Sequence, residues 1–253
     1  MNISLSNISN VKLNSLSYDN VKFNNELVWT KTKTYIKDGL QLWLDGIENT
    51  RNGHSTSTYS WHDLSGNKYD FSLYAGSGPA YSKENCLEFA NSVYRCENTT
   101  LQSLMTNSEE KTIEVVCSIS TENTTAKTIF LGGISSSPNA GMGLWYRPAS
   151  NGMCVSGSSS CYSTTDVTNP HTYCAVYSKG AKTGADFYQD NVKKNVSGGG
   201  TMANQYVTIG GRKYDTNYYQ FKGEIYSIRV YDRKLTQEER EHNRKIDKER
   251  FGL

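Results

Sequence analysis

Long apolar runs are missing from this chain, and Met1 leads into Asn, Ser and Lys rather than a basic start followed by an apolar stretch. The sequence therefore predicts neither a membrane-inserted segment nor export by a signal peptide. Charge of one sign is also scarce. A net charge of +2 is spread over scattered Lys, Arg, Asp and Glu, which leaves no basic field for nucleic acid or an acidic membrane surface. Six cysteines occur without a CxxC pair (Cys86, Cys96, Cys117, Cys154, Cys161 and Cys174), so a thiolate metal site is not expected. Free buried thiols are the expectation, and Cys154 with Cys161, flanking a Ser-rich turn, are the pair placed to bridge if any is. His54, His62, His171 and His242 have no HxxxH or Ser-His-Asp company, and no Gly-rich stretch carries the Lys and Ser or Thr of a phosphate loop.

What the chain does have is tyrosine, 18 against four Trp, with Ser, Thr, Asn and Gly between short apolar runs. That is the composition of a β-rich domain. At 253 residues one large sandwich can bury most of its apolar surface without metal or disulfide support. Residues 1–34 read as short strands, with Asn24 and Asn25 at a hairpin turn, too small to hold a core alone. They are expected to be an attachment arm, and 35–253 the main domain.

Within 35–253, short strands are expected at 71–74, 86–89, 92–95, 111–120, 127–131, 143–147, 153–155, 171–177, 186–188 and 206–209, with Asp190 and Asn191 in a tight turn. The closing stretch, 221–240, organises the rest. Tyr226, Ile228 and Val230 alternate with Ser227, Arg229 and Tyr231, predicting one apolar row inward and one polar row outward. Thr236 and Glu239 form a capping box, so a single helix should run over 237–250. Its apolar side is thin, with Ile246 and Phe251 as anchors, predicting a surface helix that touches the sandwich along one edge.

Three blocks carry a family resemblance: GLQLWLDG with WHDLSGN; TIEVVCSI with FYQDNV; and VTIGGR leading into FKGEIYSIRVYDRKLTQEE. Over 39–253 the chain resembles the laminin-G-like, concanavalin A-type jelly rolls, which implies an all-β, two-sheet antiparallel sandwich with a C-terminal helix. The arm ending FNNELVW is similar to segments that open bacteriophage or prophage tail and baseplate proteins bearing such a sandwich.

The resemblance brings in glycoside hydrolases, whose sandwich members carry a Glu-Xaa-Asp-Xaa-Xaa-Glu strand. No such run occurs, and Glu114 and Glu224 read as lone solvated carboxylates, so no catalytic residue and no enzyme activity is expected. It also implies calcium at the rim, for which Asp63, Ser65, Asn67 and Asp70 offer alternating oxygens, without the glycine and distal Glu of an EF-hand loop; a hydrogen-bonded turn is the competing reading. Sugars stack on rings and bond Asn, Asp and Arg. Trp145, Tyr146 and Arg147, and the loop holding Asp215, Asn217, Tyr218 and Tyr219, are the expected ligand-binding residues, with plain surface packing the competing reading for that loop; Trp61 and His62 are a third group, in which a core anchor is the expectation for Trp61. The expected role is a binding and structural module of a phage or prophage virion, contacting host-surface glycan or neighbouring virion proteins, with oligomerisation allowed through the arm. The alternatives are an accessory carbohydrate-binding domain of a polysaccharide-degrading system or a structural decoration protein.

Overall fold

The structure, a computed structural model, describes residues 11–13, 16–18, 20–23, 26–30, 34–56, 59–76, 78–107, 109–132, 142–150, 152–155, 162–163, 166–180, 185–196, 206–211 and 220–253. The chain divides into two compact units, Met1–Tyr35 and Ile36–Leu253. In the first, β1 (Val11–Leu13) pairs with β2 (Leu16–Tyr18), and β3 (Asn20–Phe23) with β4 (Glu26–Thr30), all antiparallel.

The second unit begins with β5 (Leu40–Asp45), β6 (Ser60–Trp61), β7 (Phe71–Ala75), β8 (Tyr81–Ser82), β9 (Leu87–Phe89) and β10 (Val93–Cys96). Helix α1 (Thr99–Thr106) follows, then β11 (Lys111–Ile119), β12 (Lys127–Gly132), β13 (Met142–Arg147), β14 (Gly152–Val155) and β15 (Tyr162–Ser163). The chain closes with β16 (His171–Tyr177), β17 (Asp186–Gln189), β18 (Val192–Lys194), β19 (Val207–Ile209), β20 (Gly223–Tyr231) and α2 (Gln237–Phe251). One antiparallel sheet runs β15-β14-β13-β12-β19-β10-β7-β6; the other runs β18-β17-β16-β11-β20-β9-β8, with β5 also pairing to β20.

The sheets face each other over one core. Ile113, Val115, Cys117 and Ile119 alternate inward along β11, and Phe71, Tyr94, Phe130, Leu144 and Ile209 answer from the other sheet. Each such fully buried side chain contributes about 1.5–3 kcal/mol relative to exposure. Trp61 is in this core, its indole N–H donating to Asp45 O at 2.9 Å. Helix α1 was not legible in the sequence. Asn98 caps it by accepting from Thr100 and Leu101 N–H at 2.9 and 3.2 Å, and Leu101 and Met105, one turn apart, are its buried side. Only Leu101, Leu104 and Met105, at i, i+3 and i+4 in a single short stretch, betray it.

The closing strand departs from simple alternation. Val116 faces Ser227 while Cys117 faces Ile225, so Tyr226 is an extra residue, a bulge. Ile225, Ile228 and Val230 point into the core; Tyr226 does not. It joins Cys86, Val116 and Phe251 on the outer face, its ring centroid 5.6 Å from that of Phe251.

The outer polar row is not solvated. Arg229 is wholly buried beneath α2, donating from Nε to Glu114 at 3.0 Å and through both terminal nitrogens to Asp247 at 2.7 Å each. Asn243 donates to Glu114 at 2.9 Å and to the Tyr231 hydroxyl at 3.0 Å. Glu114 is therefore a buried ion-pair member rather than a solvated carboxylate, because the helix that covers it brings its own polar side chains. Arg240, Asn243, Ile246, Asp247 and Phe251 form the buried stripe of α2, which explains why its apolar side is thin. Thr236 and Glu239 make the expected capping box, and Gly252 ends the helix at φ 73°. The Asp190–Asn191 turn, with φ of 52° and 65°, is tied to the same helix: Arg240 Nε donates to Asn191 at 3.1 Å, and Arg244 lies 3.3 Å from Asp190.

Candidate functional site

Beyond Tyr226 and Phe251, the outer face of the second sheet carries a row of side chains from four adjacent strands. Tyr81 of β8 is in register with Glu88 of β9, Glu88 with Glu224 of β20, and Glu224 with Ser118 of β11. Cross-strand partners share a face, so a ring, two carboxylates and a hydroxyl stand in line. Tyr81 is 64% exposed, a large value for an aromatic within a sheet. The turn that returns β8 to β9, closed by Lys83 N–H donating to Cys86 O at 2.9 Å, brings the Lys83 ammonium between the acids. It contacts Glu224 and lies 3.1 Å from Glu88.

Glu224 also accepts from the Tyr226 hydroxyl at 2.6 Å and from Ser118 at 3.3 Å. Burial pushes its pKa upward, but the bonds from Lys83 and Tyr226 outweigh this and hold it below the usual carboxylate value. The same contact raises Lys83, so this pair is ionised. Cys86, beside them, is pushed up to about 12 by burial and is an inert thiol.

Glu88 and Glu224 also line a cleft of about 400 Å³ where β9, β11 and β20 meet. Asn91, Ser120, Glu122 and Lys222 add polar walls. Gly223, at φ 150°, sits at the junction; a Cβ there would overlap Ser118 O, so the close strand approach requires glycine. The volume lies within the range of small-ligand sites, and the walls offer hydroxyl, amide, carboxylate and ammonium groups.

The residues expected from the sequence fall elsewhere. Trp145 and Tyr146 are buried in β13, Tyr146 in the core, and the Arg147 guanidinium lies 5.0 Å from the Trp145 ring centre. This group is no open stacking platform, because Trp145 and Tyr146 lie within a strand paired on both sides and both rings are buried. Asp215, Asn217, Tyr218 and Tyr219 lie outside the described residues. Asp63 is buried, with Oδ1 accepting from Trp43 and Ser65 N–H at 3.0 and 2.9 Å and Oδ2 from Tyr69 N–H and the Ser65 hydroxyl at 3.0 and 2.8 Å. Asp70 takes Arg51, His62 and the Asp63 N–H, and Asn67 donates to Gln41 O at 2.9 Å. Every lone-pair direction of Asp63 is used, so this donor set does not fit calcium; it is a hydrogen-bonded turn. Cys86, Cys96, Cys117 and Cys174 are free and buried, and Cys154 is disulfide-bonded.

Tyr81, Lys83, Glu88 and Ser118 were not found by sequence reasoning, and Glu224, which reads from the sequence as a lone solvated carboxylate, is instead paired with Lys83, Tyr226 and Ser118. Alternation marks Glu88, between Leu87 and Phe89, as outward-facing, but nothing local sets which strands neighbour it.

No family model matches the chain, and none of the curated proteins does. Solved structures do. A Trypanosoma rangeli sialidase in complex with 2,3-difluoro-KDN is similar at TM-score 0.60 and 12% identity, over 81% of this chain and 32% of that one. The same sialidase with the inhibitor DANA gives 0.60 and 14%, over 95% and 36%. The receptor binding domain of botulinum neurotoxin C/D mosaic serotype gives 0.52 and 15%, over 83% and 52%. The chain thus spans about a third of the sialidase chains.

These matches overturn the expectation that the chain is not an enzyme. The sandwich occurs within chains named as sialidases, so a missing Glu-Xaa-Asp-Xaa-Xaa-Glu strand does not exclude catalysis. Glu88 and Glu224 show the physical reason: register across strands brings together two carboxylates that no linear motif joins. At such identities no residue role carries over, and the likeness shows the fold alone: a two-sheet β-sandwich.

Proposed function

We propose that this chain recognises carbohydrate, and that the outer-face row of Tyr81, Glu88, Glu224 and Ser118 with the adjoining cleft is where it does so. One observation carries the reading: an exposed tyrosine stands in register with a line of hydrogen-bonding groups. A sugar has an apolar C–H face for the ring and hydroxyls for the carboxylates, the serine and the amide of Asn91. The similarity to sialidases and to a toxin receptor binding domain supports a glycan-binding sandwich, and the resemblance of the sequence blocks to laminin-G-like jelly rolls supports the same reading. A virion role, with residues 1–34 as the attachment arm and glycan or other virion proteins as partners, rests on the resemblance of that arm to phage tail and baseplate proteins.

The test is a glycan array probed with the full chain and with Glu224→Ala, thermal melts being run on both. Binding by the wild type that is lost in the variant, with both proteins folded, supports the reading. Absence of binding to any glycan, or binding that Glu224→Ala leaves intact, contradicts it.

A further inference from the structure

The charges around the cleft define which sugars it takes. Three carboxylates, Glu88, Glu122 and Glu224, are set against two ammonium groups, Lys83 and Lys222. Both ammonium groups are already committed. Lys83 bridges Glu88 and Glu224, and Lys222 lies 2.9 Å from Glu122. Among the described residues lining the cleft there is no arginine, the side chain whose planar fork suits a sugar carboxylate. Ser118 already donates to Glu224 at 3.3 Å, which leaves its oxygen to accept from a ligand hydroxyl.

We infer that the cleft takes an uncharged, polyhydroxylated sugar of the hexose class and discriminates against sialate- and uronate-terminated glycans. This inference rests on the proposed carbohydrate reading and goes beyond it. An acidic sugar would have to enter a site with one carboxylate in excess and break a lysine–glutamate pair to find a cation, whereas a neutral hydroxyl donates to the carboxylates as they stand. Like charge brought together in a partly desolvated site is strongly unfavourable. The preference is thus opposite to that suggested by the sialic acid bound in a T. rangeli sialidase structure, whose identity of 14% carries no site residue across.

The experiment compares neutral hexose-terminated glycans with the same glycans capped by sialate or uronate, using the full chain, Tyr81→Ala and a Glu88→Gln/Glu122→Gln variant, all checked by thermal melt. The expected result is binding of neutral glycans, at least about tenfold weaker binding of the acidic forms, and a narrower gap in the double variant. Acidic glycans bound as tightly as neutral ones, with both lost in Tyr81→Ala, would overturn the charge inference while leaving the site standing. Binding indifferent to Tyr81→Ala would overturn the site and the inference with it.

Discussion

Arg229 and Asp247 meet as a two-pronged pair, Nη1 to Oδ1 and Nη2 to Oδ2 at 2.7 Å each, with neither side chain exposed. The pair joins the closing strand to the C-terminal helix, and the third contact of Arg229, from Nε to Glu114, ties in β11. Burial drives the Glu114 pKa upward, and the facing Arg229 only partly opposes it. One cation thus serves two buried acids. Removing it, as in Arg229→Met, takes the guanidinium away from both buried acids and should cost about 3–5 kcal/mol, read by urea denaturation. A loss below about 1 kcal/mol would mean that the helix is not held by this network.

The bulge at Tyr226 makes a second prediction. Ile225 and Ile228 both point into the core, although they are three residues apart and strict alternation would put them on opposite faces. Ile225→Ala and Ile228→Ala should each destabilise by about 2–5 kcal/mol. If Ile225→Ala proved neutral in the same denaturation assay, Ile225 would face solvent and the bulge would be absent.

Much of the architecture was legible because strand and cap signals are local. The strands at 111–119 and 171–177, the Asp190–Asn191 turn and the capping box all follow from short-range pattern. What escaped depends on register or on covering elements. Glu114 looks solvated until α2 lies over it; Trp145 looks like an accessible stacking ring until pairing on both sides of β13 and burial close it off. The row from Tyr81 to Ser118 joins residues from four strands, and no linear spacing encodes which strands become neighbours.

His171 gives a pH dependence. Its Nδ1 lies 2.7 Å from Asp190 Oδ2, and Asp166 is 3.9 Å from Nε2; the Asp190 bond raises the imidazole pKa, against the opposing effect of burial. A group raised in the folded state stabilises fully below its unfolded pKa, about 6.5, and that contribution fades as pH climbs through the higher folded value. His171→Asn should therefore lower the melting temperature more at pH 6 than at pH 8.5. An equal drop at both would show that His171 carries no linked proton.

The two compact units, Met1–Tyr35 and Ile36–Leu253, predict a separable arm. A chain beginning at Ile36 should fold cooperatively on its own, read by urea denaturation. Failure to fold would show that the sandwich needs the first unit.

Titration calorimetry of the full chain with the neutral glycan that binds best on the array, set against Tyr81→Ala and Trp145→Ala, reads the contribution of the outer-face row itself. The outer-face row predicts that Tyr81→Ala weakens binding by about 1–3 kcal/mol at an unchanged melting temperature. Trp145→Ala, a buried position, should lower the melting temperature instead. Unaltered affinity in Tyr81→Ala would contradict glycan binding at the outer-face row.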